Sequence, residues 1–128
     1  MIVIEGEVIH GQQLGRRIGF PTANMEIGNV DVENGVYMSR VIIDGNQYRG
    51  MSNVGVRPSV DGKRRLLETF IFGFGGDIYG RRIRVELLCK VRDEKKFESI
   101  GALKSQLERD SEQILSLIHI SEPTRLRR

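Results

Sequence analysis

In several segments of the first ninety positions apolar and polar residues alternate, and near Phe97 the period lengthens to three or four. Residues 2–9, IVIEGEVI, place Ile2, Ile4, Gly6 and Val8 on one side at period two, the mark of a half-buried strand. VYMSRVII, residues 36–43, reads as a second strand. Asp44-Gly45 after it suits a two-residue type I′ turn, because both residues tolerate positive φ. The return strand is expected from Gln47 to about Asn53. RPSVDGKRR then separates it from LLETFIFGF, residues 66–74. GGDIYG makes the next turn, and RRIRVELL alternates Arg82, Arg84 and Glu86 with Ile83, Val85 and Leu87. Beyond Phe97, Ser99 is positioned as an N-cap, and Ile100, Leu103, Leu107 and Ile114 follow at helical spacing, predicting one helix over 99–116. Five or six antiparallel strands followed by a helix favour a closed or nearly closed barrel, since closure removes exposed strand edges.

Between the first two strong strands lies LGRRIGFPTAN, Leu14 to Asn24, longer than a turn requires. It has neither the GxxxxGK[ST] order nor GxGxxG between a strand and a helix. Its chemistry nevertheless suits a nucleotide. Gly11, Gly15 and Gly19 let backbone amides approach an anion, and Arg16 and Arg17 add fixed positive charge. Thr22 and Asn24 are two residues apart, on one side of an extended segment, and offer oxygens to a hard cation such as Mg²⁺. A long surface loop with an Asx turn at Asn24 accounts for the same residues equally well.

In LLETFIFGF, period two groups Glu68 with Leu66, Phe70, Phe72 and Phe74. With the phenylalanines inward, the carboxylate would face the apolar side, where burial suits it to general-base work. At a strand end it would meet water and have no such role. His10 and His119 lack spaced ligand partners. Cys89 reads as a small core residue, Tyr79 as a turn residue laying its ring on the barrel, and Arg109 and Asp110 as helix exterior.

Composition narrows the class further. At 39% hydrophobic and 29% charged, 128 residues are enough for one globular domain with its own core. No apolar run reaches membrane-spanning length, and MIVIEGEV has no basic region ahead of its apolar residues, so it reads as a strand rather than a signal peptide. A single cysteine excludes a disulfide framework, and a reducing cytoplasmic compartment is expected. The net charge of +3 is mostly terminal: Glu122, Arg125, Arg127 and Arg128 sum to +2 and leave about +1 elsewhere. That surplus is too small to argue for a nucleic-acid partner, and three Tyr and five Phe supply few exposed stacking platforms for a single strand.

GEVIHGQQLGRRIGFPTAN, NGVY, SNVGVRPS, LLETFIFGFGGDIYG and VRDEKKFESIGALKSQLERD follow one another in the order of the bacterial riboflavin kinase domain, which the chain resembles from about Glu5 to Asp110. The PTAN tetrapeptide, the downstream Glu-Thr and the R-x-x-x-x-F before the helix are the most specific elements. The resemblance implies an all-β, six-stranded antiparallel Greek-key barrel with a C-terminal α-helix. It also implies an Mg²⁺-dependent cytoplasmic enzyme that moves the γ-phosphate of ATP to the ribityl 5′-hydroxyl of riboflavin, giving FMN and ADP. Thr22 and Asn24 would hold Mg²⁺. Gly11, Gly15, Arg16, Gly19 and Thr22 would enclose the phosphates. Glu68 would be the base, and Arg92 and Phe97 would lie with Glu68 against the flavin. The partners implied are small molecules, with no nucleic acid and no membrane.

The chain departs from the family at Phe70, where histidine is frequent, at Gly73, often acidic or histidine, at Ser59, usually threonine, and at Leu14, often basic. These departures keep open a flavin- or nucleotide-binding barrel without turnover. The family's usual adenylyltransferase half does not precede Met1, so FMN but not FAD is the expected product. The barrel and helix are expected over 1–116. The end, 117–128, differs in character, resembles translated cloning sequence and is expected to be non-native or disordered.

Overall fold

The computed structural model describes residues 1–9, 19, 21–60, 62–76 and 78–121. Six strands make one antiparallel sheet: β1 (Ile2–Glu7), β2 (Ala23–Glu26), β3 (Gly35–Ile43), β4 (Asn46–Ser59), β5 (Gly62–Ile71) and β6 (Arg82–Arg92). Their order is β1-β6-β3-β4-β5-β2. Strands β3, β4 and β5 follow as hairpins and β6 returns beside β3, which is a Greek key. An antiparallel bridge between Ile9 and Asn24 links the two outer strands, so the sheet is a nearly closed barrel.

The alternation read from the sequence selects the core. Ile4 and Val8 from the first segment, Val41 and Ile43 from β3, and Ile83, Val85 and Leu87 from β6 are all buried in one cluster. At the β3–β4 turn, Asp44 (φ 51°) and Gly45 (φ 82°) both take the left-handed conformation expected of their dipeptide. Three hydroxyls bridge strands inside the barrel. Ser52 donates to Ser39 at 2.8 Å and shares a 2.7 Å hydrogen bond with Thr69.

Several sequence expectations change. RPSVDGKRR is not a separator, because β4 runs to Ser59 and β5 starts at Gly62, with Arg57 opposite Arg64. It lacks alternation because this end of the hairpin is largely exposed; Val60 at its tip is 97% exposed. In the next strand the face turned into the barrel core is Leu67, Thr69 and Ile71, not that of Glu68 and the phenylalanines, although Leu66 on the latter side is buried as well. LLETFI carries apolar residues at both parities, so period two alone cannot choose between them. β5 also ends at Ile71; Gly73 (φ 71°) then turns the chain and brings Phe74 edge-on to Tyr48, ring centroids 5.2 Å apart.

Cys89 is exposed rather than internal. The β3–β6 register shifts between Met38 and Ser39, whose partners are Cys89 and Leu87. Such a bulge sends the residues beyond it to the opposite face. Tyr79 is half exposed, while its neighbour Ile78 fills the core.

The chain divides into two compact units, Met1–Lys95 with the barrel and Lys96–Arg128 with the helix. Helix α1 spans Ile100–Ser121, five residues past its predicted end. Residues 117–121 of the expected tail are therefore helical, and 122–128 lie outside the described residues. The N-cap is as predicted: Ser99 Oγ accepts the Ala102 N–H at 3.1 Å. Asp110, expected on the exterior, is buried, and its Oδ1 accepts from Gln106 at 2.9 Å.

Candidate active site

The strand register assembles what the sequence leaves scattered. Asn24 on β2 and Asn53 on β4 are both direct partners of Glu68 on β5. Residues opposite one another in antiparallel strands project to the same face, with Cβ atoms about 4.5–5.5 Å apart. Asn24, Glu68 and Asn53 therefore form one polar row across three strands. Their chain neighbours Met25, Leu67 and Val54 point the other way and are buried in the core, so the row lies on the outer face of the barrel wall. Through Val36 it reaches Arg92, since Val36 is the partner of both Asn53 and Arg92. At about 4.8 Å per strand, Arg92 stands roughly 14 Å from Glu68 across the sheet.

Two members of the row carry unmet hydrogen-bonding capacity. The Oδ1 atoms of Asn24 and Asn53 are buried and without a hydrogen-bond partner among the described residues. Leaving such an acceptor unmatched costs about 1–3 kcal/mol, and two flanking one carboxylate mark a surface built for something else to complete. The Asn24 amide is oriented by its other end, Nδ2, which donates to the Thr22 carbonyl at 3.3 Å. A buried amide oxygen suits a hard cation that takes oxygen ligands. Thr22 is exposed and immediately precedes β2. The donor set around Asn24 thus fits Mg²⁺.

Glu68 and Phe70 share a face of β5, as period two groups them, but it is the face turned away from the barrel core, and the carboxylate there meets an arginine. Glu68 Oε1 accepts from Arg57 Nη2 at 2.8 Å, and Arg57 Nη1 reaches Glu94 Oε1, also at 2.8 Å. Burial disfavours the Arg57 charge, but the attraction of Glu68, together with the hydrogen bond and charge of Glu94, outweighs it and holds the guanidinium pKa above its ordinary value. Arg57 and Asn53 were missed in the sequence because both lie near the supposed separator. At period two, Asn53, Gly55 and Arg57 share one face of β4, and that grouping is the signal that was available.

Of the other sequence candidates, Gly19 is exposed, with φ 91°. Arg92 donates through Nη1 to the Asp93 carbonyl at 3.0 Å. Phe97 belongs to the second unit. Gly11, Gly15, Arg16 and His10 lie outside the described residues.

Comparison with known proteins gives this arrangement a context. Residues 1–118 match the family model described as Flavokinase, riboflavin kinase. The RNA-binding riboflavin kinase RibR of Bacillus subtilis (strain 168) is 40% identical over 111 residues, covering 86% of this chain and 48% of that protein. The bifunctional riboflavin kinase/FMN adenylyltransferase of Haemophilus influenzae is 45% identical over 111 residues, covering 85% of this chain and 36% of that protein. The chain thus spans about half the length, or less, of these curated relatives.

Among solved structures, a Streptococcus pneumoniae chain described as a macrolide-efflux protein superimposes with a TM-score of 0.77 at 39% identity, over 86% of this chain and 37% of that one. Riboflavin kinase from Trypanosoma brucei shares the fold, with a TM-score of 0.63 at 24% identity, over 91% of this chain and 79% of that one. On the match of residues 1–118 to the family model, the chain belongs to the riboflavin kinase family.

Proposed function

We propose that this chain transfers the γ-phosphate of ATP to the ribityl 5′-hydroxyl of riboflavin, giving FMN and ADP in a cytoplasmic setting. The observation that carries this reading is the Asn24–Glu68 pairing: an acceptor for a proton and an amide oxygen for a cation sit side by side on adjacent strands. In the reaction Glu68 takes the proton of the 5′-hydroxyl. The hydroxyl oxygen bonds to the γ-phosphorus, and the bond from that phosphorus to the β,γ-bridging oxygen breaks, releasing ADP. Such transfers pass through a loose transition state, so positioning and charge neutralisation dominate.

Thr22 and Asn24 would hold Mg²⁺, which when bound supplies neutralisation of phosphate charge. Gly11, Gly15, Arg16, Gly19 and Thr22 would surround the phosphates, and Arg92 and Phe97, with Glu68, the flavin. Asn53, the second partner of Glu68, offers a further acceptor to a substrate hydroxyl.

The test is formation of FMN from riboflavin, ATP and Mg²⁺, separated chromatographically and read by flavin fluorescence. Glu68→Gln should keep ATP and riboflavin affinity and lose turnover 10²- to 10⁴-fold, about 3–5 kcal/mol of barrier. Unchanged turnover would remove Glu68 from the proton transfer, and no FMN from the unaltered chain would end the kinase reading.

A further inference from the structure

We infer that Arg57 is the positioning residue of the Glu68 carboxylate, held in place by Glu94 and by the bare backbone at Gly55. The inference rests on the reading of Glu68 as the base. One guanidinium carries both contacts, Nη2 on Glu68 Oε1 and Nη1 on Glu94 Oε1, each at 2.8 Å. All three side chains are largely shielded, 22% exposed for Arg57, 18% for Glu68 and 28% for Glu94. Shielding keeps such a pair from being screened as a surface pair would be.

Gly55 supplies an independent observation. A Cβ there would collide with Glu94 Oε1 and with Arg57 Nη1. Gly55 is not among the positive-φ glycines, so its backbone conformation does not require glycine; a Cβ there would have to displace the ends of these two side chains. The ion pair lies across the place where a side chain would stand. Arg57 is two residues further along the same face of β4, and Glu94 is two residues past the end of β6. The fork thus ties the start of the segment leading to the helix to the carboxylate of β5.

The chemistry gives this tie a purpose. A base that accepts a proton from an alcohol must present one carboxylate oxygen at a fixed position. Glu68 Oε1 is occupied by Arg57, which leaves the proton to Oε2 and removes the rotamer freedom of a long side chain. Only arginine offers two donors at the angle needed to hold both carboxylates; lysine keeps the charge without the fork.

The experiment compares Arg57→Gln, Arg57→Lys and Glu68→Gln in the 128-residue chain. For each, kcat and KM for Mg·ATP are measured in the FMN assay, Mg·ADP affinity by calorimetry, and folding by circular dichroism. Arg57→Gln should lower kcat 10- to 100-fold with KM for Mg·ATP and Mg·ADP affinity unchanged, and Arg57→Lys should recover part of the loss. Wild-type kcat in Arg57→Gln, beside an inactive Glu68→Gln, would overturn the positioning role and leave the base reading intact. A parallel loss in kcat and nucleotide affinity would also overturn it, in favour of a general structural role. Wild-type turnover in Glu68→Gln would instead overturn the base reading on which the inference stands. Should Arg57→Gln not fold, Arg57→Lys decides: a kcat between those of wild type and Glu68→Gln supports the role, and a wild-type kcat overturns it.

Discussion

Asn24→Leu separates what Asn24 does for the fold from what it is proposed to do for ligand. Leucine nearly matches asparagine in shape, so no large cavity opens. The substitution removes a buried Oδ1 that has no hydrogen-bond partner among the described residues, a relief of about 1–3 kcal/mol. It also removes the 3.3 Å hydrogen bond from Nδ2 to the Thr22 carbonyl, whose contribution is about 0.5–1.5 kcal/mol. The balance favours the variant by about 1 kcal/mol, or about 4 °C in midpoint for a domain of this size. With Mg·ADP at one hundred times its Kd the order reverses: the unaltered chain gains about 2.7 kcal/mol and the variant gains little.

Thermal and urea unfolding followed by far-ultraviolet circular dichroism, with and without Mg·ADP, reads both effects. A ligand-free variant 1 kcal/mol or more below wild type would show that the Asn24 oxygen is satisfied in the folded chain. Full stabilisation of the variant by Mg·ADP would refute its part in nucleotide binding.

Two further outcomes concern the barrel itself. Gly50→Ala places a Cβ 2.8 Å from Ser39 Oγ, 3.1 Å from Thr69 Cγ2 and 3.2 Å from the Phe70 carbonyl oxygen. Overpacking of this kind should cost about 1–3 kcal/mol, seen as a lower urea midpoint at unchanged slope, and an unshifted midpoint would contradict it. The hydrogen bond from Arg40 to Glu86, helped by the charges of Arg40 and Arg84 and opposed by burial, holds the Glu86 pKa below its usual 4.5. A depressed carboxylate adds stability that is complete above the unfolded value and disappears as pH falls through the folded one. The stability advantage of wild type over Glu86→Gln should therefore shrink as pH is lowered from 6 to 3; a constant difference would contradict this.

Much of the barrel is legible in the sequence because most strands bury one face only. IVIEGEVI and RRIRVELL declare that face by a predominant alternation, and Asp44-Gly45 declares its turn. LLETFI does not, since leucine, phenylalanine and isoleucine occupy both parities. Its true face is settled by pairing with β2 and β4, which is long-range information. The candidate site divides in the same way. Asn24 and Glu68 stand out by residue type, but that they are cross-strand neighbours follows from register. Asn53 closes the expected return strand and Arg57 opens a stretch that looks like a polar connection, and their relation to Glu68 exists only once β4 and β5 are paired. Cys89 looks internal because local period two carries no notice of the bulge in its own strand, which shows only in the pairing with β3.

The Ile9–Asn24 bridge has a bearing on how this barrel would respond to a bound nucleotide. At that joint the Ile9 amide donates to the Asn24 main-chain oxygen at 2.8 Å, while the side chain of the same asparagine presents the proposed cation ligand. The clasp that shuts the cylinder and the hand that would receive the cargo are one residue. Cargo held there would act as a rivet, so deuterium uptake at the Ile9 amide should slow on adding Mg·ADP, while amides in the middle of the β3–β4 hairpin, already locked, change little.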